Sequence, residues 1–124
     1  MKFLDSNVLA FAFYKNEHTE ECQAALKEDG LIDVFNLIEA FFIIEKETKS
    51  REVAQKSVRG LLKSNLQIID VDANLLFEAL KRVNSLKLSI FDAIHYSCAL
   101  INNCNTIISY DKDFDNLDIP REEP

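Results

Sequence analysis

At 124 residues the chain is the length of one domain, and 48% hydrophobic residues are enough to bury a core without disulfides or a structural metal. Only two Gly and two Pro are present, which argues against an all-β fold with its many turns. A net charge of −7 argues against non-specific binding to polyanions, which draws on Lys and Arg, but leaves room for a small local basic path.

In chain order, Lys2-Phe3-Leu4-Asp5 reads as a short strand. Ser6 and Asn7 read as turn and cap residues before a helix over Val8–Tyr14. Thr19 caps a second helix, from Glu20 to about Glu28, which Asp29-Gly30 stops, and Leu31–Val34 is a second strand. Asn36 opens a third helix, to about Thr48, that is apolar nearly all round. Such a helix is buried on more than one side, either within one chain or between the sheet and a second subunit. Ser50 opens an amphipathic helix to about Lys63, and Leu66–Ile69 is the third strand. Asp72 caps a helix to about Leu86, and Ser89 caps another to about Asn102. Thr106–Ser109 is the fourth strand, Leu117–Ile119 a candidate edge strand, and about 120–124 a flexible tail. Strands alternating with helices predict an α/β fold: three layers, α/β/α, around a central parallel sheet of four to five short strands, in one domain over 1–124. Ligands in such sheets bind at the strands' carboxyl ends.

Cys22, Cys98 and Cys104 form no CxxC pair, and their odd number signals neither a disulfide framework nor a zinc site. A cytoplasmic location is the expectation. No apolar run approaches the roughly 20 residues that cross a bilayer, and Asp5 stands where a signal peptide would be building its apolar stretch.

Four acids fall near strand ends or helix starts. Asp5 ends the first strand, Asp111 follows the fourth, and Glu39 and Asp92 lie in the first turns of their helices. Each has a purely structural explanation. Asn36-x-x-Glu39 and Ser89-x-x-Asp92 are capping-box spacings, and Asp111, Asp113 and Asp115 form an acidic run. Their neighbours shift the balance. Asp92 is embedded in Ile90-Phe91-Asp92-Ala93-Ile94, Glu39 precedes Ala40-Phe41-Phe42, and Asp5 follows Phe3-Leu4. Free carboxylates in apolar settings cost several kcal/mol unless paired. A hard cation, Mg2+ or Mn2+, would satisfy all four, and such ions act on phosphates.

Four segments carry a family resemblance that spans essentially the whole chain. They are Phe3-Leu4-Asp5-Ser6-Asn7-Val8-Leu9, Asn36-Leu37-Ile38-Glu39, Phe91-Asp92-Ala93-Ile94-His95, and Ile107-Ile108-Ser109-Tyr110-Asp111-Lys112-Asp113-Phe114. In order and spacing the sequence resembles the PIN-domain ribonucleases, and most of all the VapC-type toxins of toxin–antitoxin pairs. The resemblance implies an endoribonuclease that hydrolyses RNA phosphodiester bonds through a metal-activated water. It implies Mg2+ or Mn2+ on Asp5, Glu39, Asp92 and Asp111, a homodimer, and a small antitoxin partner. Asn7, Ser109 and Asp115 are expected in supporting roles. His95, one turn after Asp92, reads as a partly buried helix histidine, and His18 as exposed. Lys15, Lys46, Lys49, Arg51 and Lys112 are candidate phosphate contacts. Three alternatives stay open: a phosphoacceptor receiver domain, a non-catalytic PIN-like module that binds RNA or protein, and a housekeeping RNA-processing nuclease.

Overall fold

The computed structural model describes residues 1–124. Five strands alternate with six helices. The strands are β1 (Lys2–Leu4), β2 (Gly30–Asp33), β3 (Gln67–Ile69), β4 (Thr106–Ile108) and β5 (Arg121–Glu122). The helices are α1 (Ser6–Phe11), α2 (Thr19–Leu26), α3 (Val34–Thr48), α4 (Arg51–Leu62), α5 (Ala73–Ser85) and α6 (Ile90–Ile101). The sheet is wholly parallel, in the order β3-β2-β1-β4-β5. That order differs from the 2-1-3-4-5 arrangement of receiver domains and removes that alternative.

Side-chain alternation divides the core between the two faces of the sheet. Phe3, Leu31 and Ile107 pack on one face with Leu75, Ala79, Ile94 and Tyr96 of α5 and α6. Leu4, Ile32 and Ile108 pack on the other with Val8, Leu9, Leu37, Ile44 and Leu61 of α1, α3 and α4. Gly30 opens β2 rather than stopping the preceding helix. A Cβ there would lie 3.1 Å from the Leu4 side chain and 3.2 Å from that of Leu66.

Local cap chemistry explains most helix starts. Ser50, Asp72 and Ser89 each accept a hydrogen bond from the backbone N–H three residues on, as expected. The third helix departs from expectation. Its N-cap is Asp33, and Asn36 is the reciprocating third residue of a capping box, so the helix begins earlier. Asp5, rather than Ser6 or Asn7, caps α1. His18 precedes Thr19 as the cap position of α2, and its ring lies against Phe11 and Tyr110, with centroids 5.8 and 4.2 Å away; it is not simply exposed.

The edge strand comprises Arg121–Glu122 instead of Leu117–Ile119, within the segment expected to be a flexible tail. Arg121 anchors it by donating through Nη1 to the Ser109 carbonyl and through Nε to Asp115. The apolar α3 buries Leu37, Ala40 and Ile44 but leaves Phe42 62% exposed, so one of its apolar faces is open in the single chain. No helix is long and apolar enough to cross a membrane. All three cysteines are free and buried.

Candidate functional site

The strand order reverses direction at β1, where β4 lies on one side and β2 on the other. The carboxyl ends of these three strands carry Asp5, Ser109 and Asp33. Register brings the first two together, because Leu4 is opposite Ile108 and the Asp5 N–H donates to the Ile108 carbonyl at 3.0 Å.

Asp5 is 5% exposed. Its Oδ1 accepts from the Ser6 N–H at 2.8 Å, and its Oδ2 accepts from Ser109 Oγ at 2.6 Å. Burial raises its pKa above the usual carboxylate value, with the Glu39 charge adding to the rise, although Ser109, His95 and the Ser6 backbone oppose it. Ser109 is fully buried, and its Oγ also accepts from the Asp111 N–H at 2.9 Å. One hydroxyl thus joins two of the expected acids.

Asp92 is the third residue of α6. Ser89 Oγ accepts from its N–H at 3.1 Å, the half of a capping box that leaves the carboxylate free. Burial, followed by the charges of Asp5 and Asp111, pushes its pKa up to about 6. Asp111 precedes a 3-10 turn, Lys112–Phe114, and accepts from the Asp113 N–H at 2.9 Å. Carboxylate oxygens of Asp92, Asp111 and Asp113 all lie within 4.8 Å of one another. Asp113, read from the sequence only as part of an acidic run, therefore belongs with the cluster. Asp115 is turned away into an ion pair with Arg121 at 2.6 Å.

Glu39 occupies the second turn of α3, not the first, because the helix starts at Val34; neither a capping role nor the dipole explains it. Its Oε1 accepts from Ser6 Oγ at 2.6 Å and from His95 Nε2 at 2.5 Å. His95 is fully buried, with Nδ1 donating to Asp33 Oδ2 at 2.7 Å. A ring held between two carboxylates donates from both nitrogens, which makes it an imidazolium. Burial alone would lower the His95 pKa, but the hydrogen bonds and charges of Asp33 and Glu39 prevail and raise it to about 10. Burial likewise raises the Glu39 pKa, yet His95 and Ser6 outweigh it and hold Glu39 below its usual range.

Sequence reasoning missed Ser6, Asp33, Asn36 and His95 as a connected group. Their link to Glu39 runs across separations of 33 and 56 residues, and the only available signal was the position of His95 one turn after Asp92. No hydrogen bond within the chain engages the Asn7 side chain. Arg51 is committed to Glu45; Lys15, Lys46, Lys49 and Lys112 are all exposed, and of these Lys112 lies between Asp111 and Asp113 in the chain.

The donor set is oxygen throughout: four aspartates and one glutamate, with the one nearby histidine engaged at both nitrogens. That chemistry fits a small hard divalent cation and not a thiophilic one.

The model of the PIN domain matches residues 2–120. Solved structures share the fold at low identity. VapC20 of Mycobacterium tuberculosis, a sarcin–ricin-loop-cleaving toxin, is 16% identical with a TM-score of 0.83 over 100% of both chains. A toxin–antitoxin complex from Klebsiella pneumoniae is 16% identical with a TM-score of 0.73 over 97% of this chain and 95% of that one. VapBC2 from Rickettsia felis, bound to a promoter DNA fragment, is 22% identical with a TM-score of 0.74 over 98% and 97%. No curated protein matches the sequence.

Proposed function

The chain belongs to the PIN-domain family, and from that premise we propose that it is a divalent-metal-dependent endoribonuclease acting as the toxin of a type II toxin–antitoxin pair. The observation that carries this reading is the meeting of Asp92, Asp111 and Asp113 at the switch point of a parallel sheet, where burial, and after it the charges of Asp5 and Asp111, push Asp92 up to about 6.

Asp5, Glu39, Asp92 and Asp111 would hold Mg2+ or Mn2+, with Asp113 beside them. Such an ion supplies Lewis acidity that activates water and offsets charge on the scissile phosphate. The chain's own residues prepare for it. Ser109 orients Asp5 and the backbone of Asp111, Ser6 and His95 orient Glu39, and Lys112 offers a cation to the RNA backbone. Without a cation the clustered carboxylates repel each other and the substrate, so the ion inverts the local field.

A small antitoxin and a second copy of the chain are the partners this reading calls for. Solved relatives include toxin–antitoxin assemblies. The open α3 face, with Ile38 and Phe42 exposed, and the apolar cleft formed by Val34, Leu37, Phe41, Val58 and Leu62 are the surfaces for them.

The test is cleavage of a mixed RNA panel with manganese by wild type and Asp5→Asn. Wild-type cleavage abolished in the variant supports the reading, and equal activity in both sinks it. RNA binding without cleavage by wild type would mark a non-catalytic module. Neutralisation by the protein of an adjacent short reading frame separates a toxin from a processing nuclease.

A further inference from the structure

Behind the metal-facing acids, five residues close a hydrogen-bonded ring through their side chains and two backbone N–H groups. Asp33 Oδ2 accepts from His95 Nδ1 at 2.7 Å, and His95 Nε2 donates to Glu39 Oε1 at 2.5 Å. Glu39 Oε1 also accepts from Ser6 Oγ at 2.6 Å, Ser6 Oγ accepts from Asn36 Nδ2 at 2.9 Å, and Asn36 Oδ1 accepts from the Asp33 N–H at 2.8 Å. The Asn36 N–H returns to Asp33 Oδ1 at 3.0 Å. Asp33, Asn36 and His95 are fully buried, Ser6 is nearly so, and only Glu39 reaches the open site. The ring draws on α1, the start of α3 and α6, which are the three helices that carry or adjoin the acids.

Both internal hydrogen bonds to Glu39 fall on Oε1, and none falls on Oε2. We propose that this ring is a metal-selecting positioning device in which His95 and Ser6 hold Oε1 back, so that Glu39 presents a single oxygen to the cation. The proposal rests on the metal-nuclease reading and adds to it the basis of ion choice. Calcium takes 6–8 oxygens at roughly 2.3–2.6 Å and often uses both oxygens of one carboxylate, whereas magnesium requires six in a near-regular octahedron at about 2.0–2.1 Å. A glutamate limited to one oxygen suits the smaller ions and withholds a ligand from calcium. His95 touches no cation in this scheme; it is a positioning residue acting through Glu39.

Asp33 accounts for the rest of the ring. Its two oxygens are taken by the Asn36 N–H and by His95, and it is fully buried, so it is not a ligand. Its charge balances the imidazolium and stops the ring from turning away from Glu39.

The experiment measures Mn2+ and Ca2+ affinities by calorimetry on the chelator-treated full chain, for wild type, His95→Gln and Ser6→Ala. Ser6→Ala removes one tether without leaving a buried charge unpaired, so it decides the matter if His95→Gln does not fold. The expected result is that wild type prefers Mn2+ and that the folded variants lose about tenfold in that preference, within the range for residues behind a metal ligand. Variants that lose affinity for both ions equally, or for neither, overturn the positioning role while leaving the nuclease reading intact. Wild type that binds no Mn2+ overturns both.

Discussion

The two halves of the acidic site are built on opposite principles. On the α3 side, Glu39 is held by Ser6 and His95, and each buried polar group of the ring has a partner. On the β4 side, Asp92, Asp111 and Asp113 crowd together, half-buried or exposed, with no cationic side chain paired to them. The first half has its geometry before any ion arrives. The second holds like charges together, a repulsion that protonation of Asp92 or a bound cation relieves. The contrast separates rigidity and ion choice from ion affinity: mutations in the ring should cost stability and shift ion preference, and mutations in the cluster should cost metal binding with little change in metal-free stability.

The largest expected effect is on catalysis. Asp5→Asn should lower RNA cleavage by more than the roughly 10–100-fold expected of residues behind a ligand. Its thermal midpoint without metal should hold or rise, because Asn still accepts from the Ser6 N–H through Oδ1, its Nδ2 donates to Ser109 Oγ in place of the bond Oδ2 accepted, and it no longer carries a charge that burial disfavours. A parallel loss of activity and metal-free stability would break the comparison. Next is His95→Ala, which leaves the Asp33 carboxylate buried and unpaired and should cost about 3–5 kcal/mol in urea unfolding. Asp113→Ala, by contrast, should fall within about 0.5 kcal/mol of wild type without metal.

A pH series sharpens the same contrast. Asp92 has its pKa raised from 3.8 to about 6, so the fold favours the protonated form. The stability this group contributes is complete below its unfolded value and is lost as pH rises through about 6. A cation needs the ionised form. The gain in melting temperature from saturating Mn2+ should therefore grow from about pH 5 to about pH 7.5 in wild type and lose that slope in Asp92→Asn. A flat gain in wild type would count against Asp92 as a ligand. A small effect away from the acids is expected of Arg121→Ala, which releases the Asp115 ion pair at the edge strand and should cost about 1 kcal/mol in urea unfolding.

Much of the fold was legible because its signals are local. Ser50, Asp72 and Ser89 bond to backbone three residues away, and the alternation in Phe3-Leu4 and Ile107-Ile108 assigns one residue to each face of the sheet. The reading of Asn36 failed for a local reason as well. Asp33 and Asn36 are both cap-forming residues at capping-box spacing, and either can open the helix until β2 fixes where the strand ends. Choosing among Asp111, Asp113 and Asp115 required Arg121, which draws Asp115 aside and leaves Asp113 with the cluster.

The sequence by itself determined the α/β class, most of the elements and the oxygen-donor character of the acids expected at the strand ends, since composition, periodicity and motif order are written in consecutive residues. Only the tertiary structure decided that His95 clamps Glu39 against Asp33, and that Asp113 rather than Asp115 joins the cluster. The physical reason is that these are long-range pairings of charged groups. A carboxylate's partner is set by which helix ends the parallel sheet brings together, not by its own neighbours along the chain.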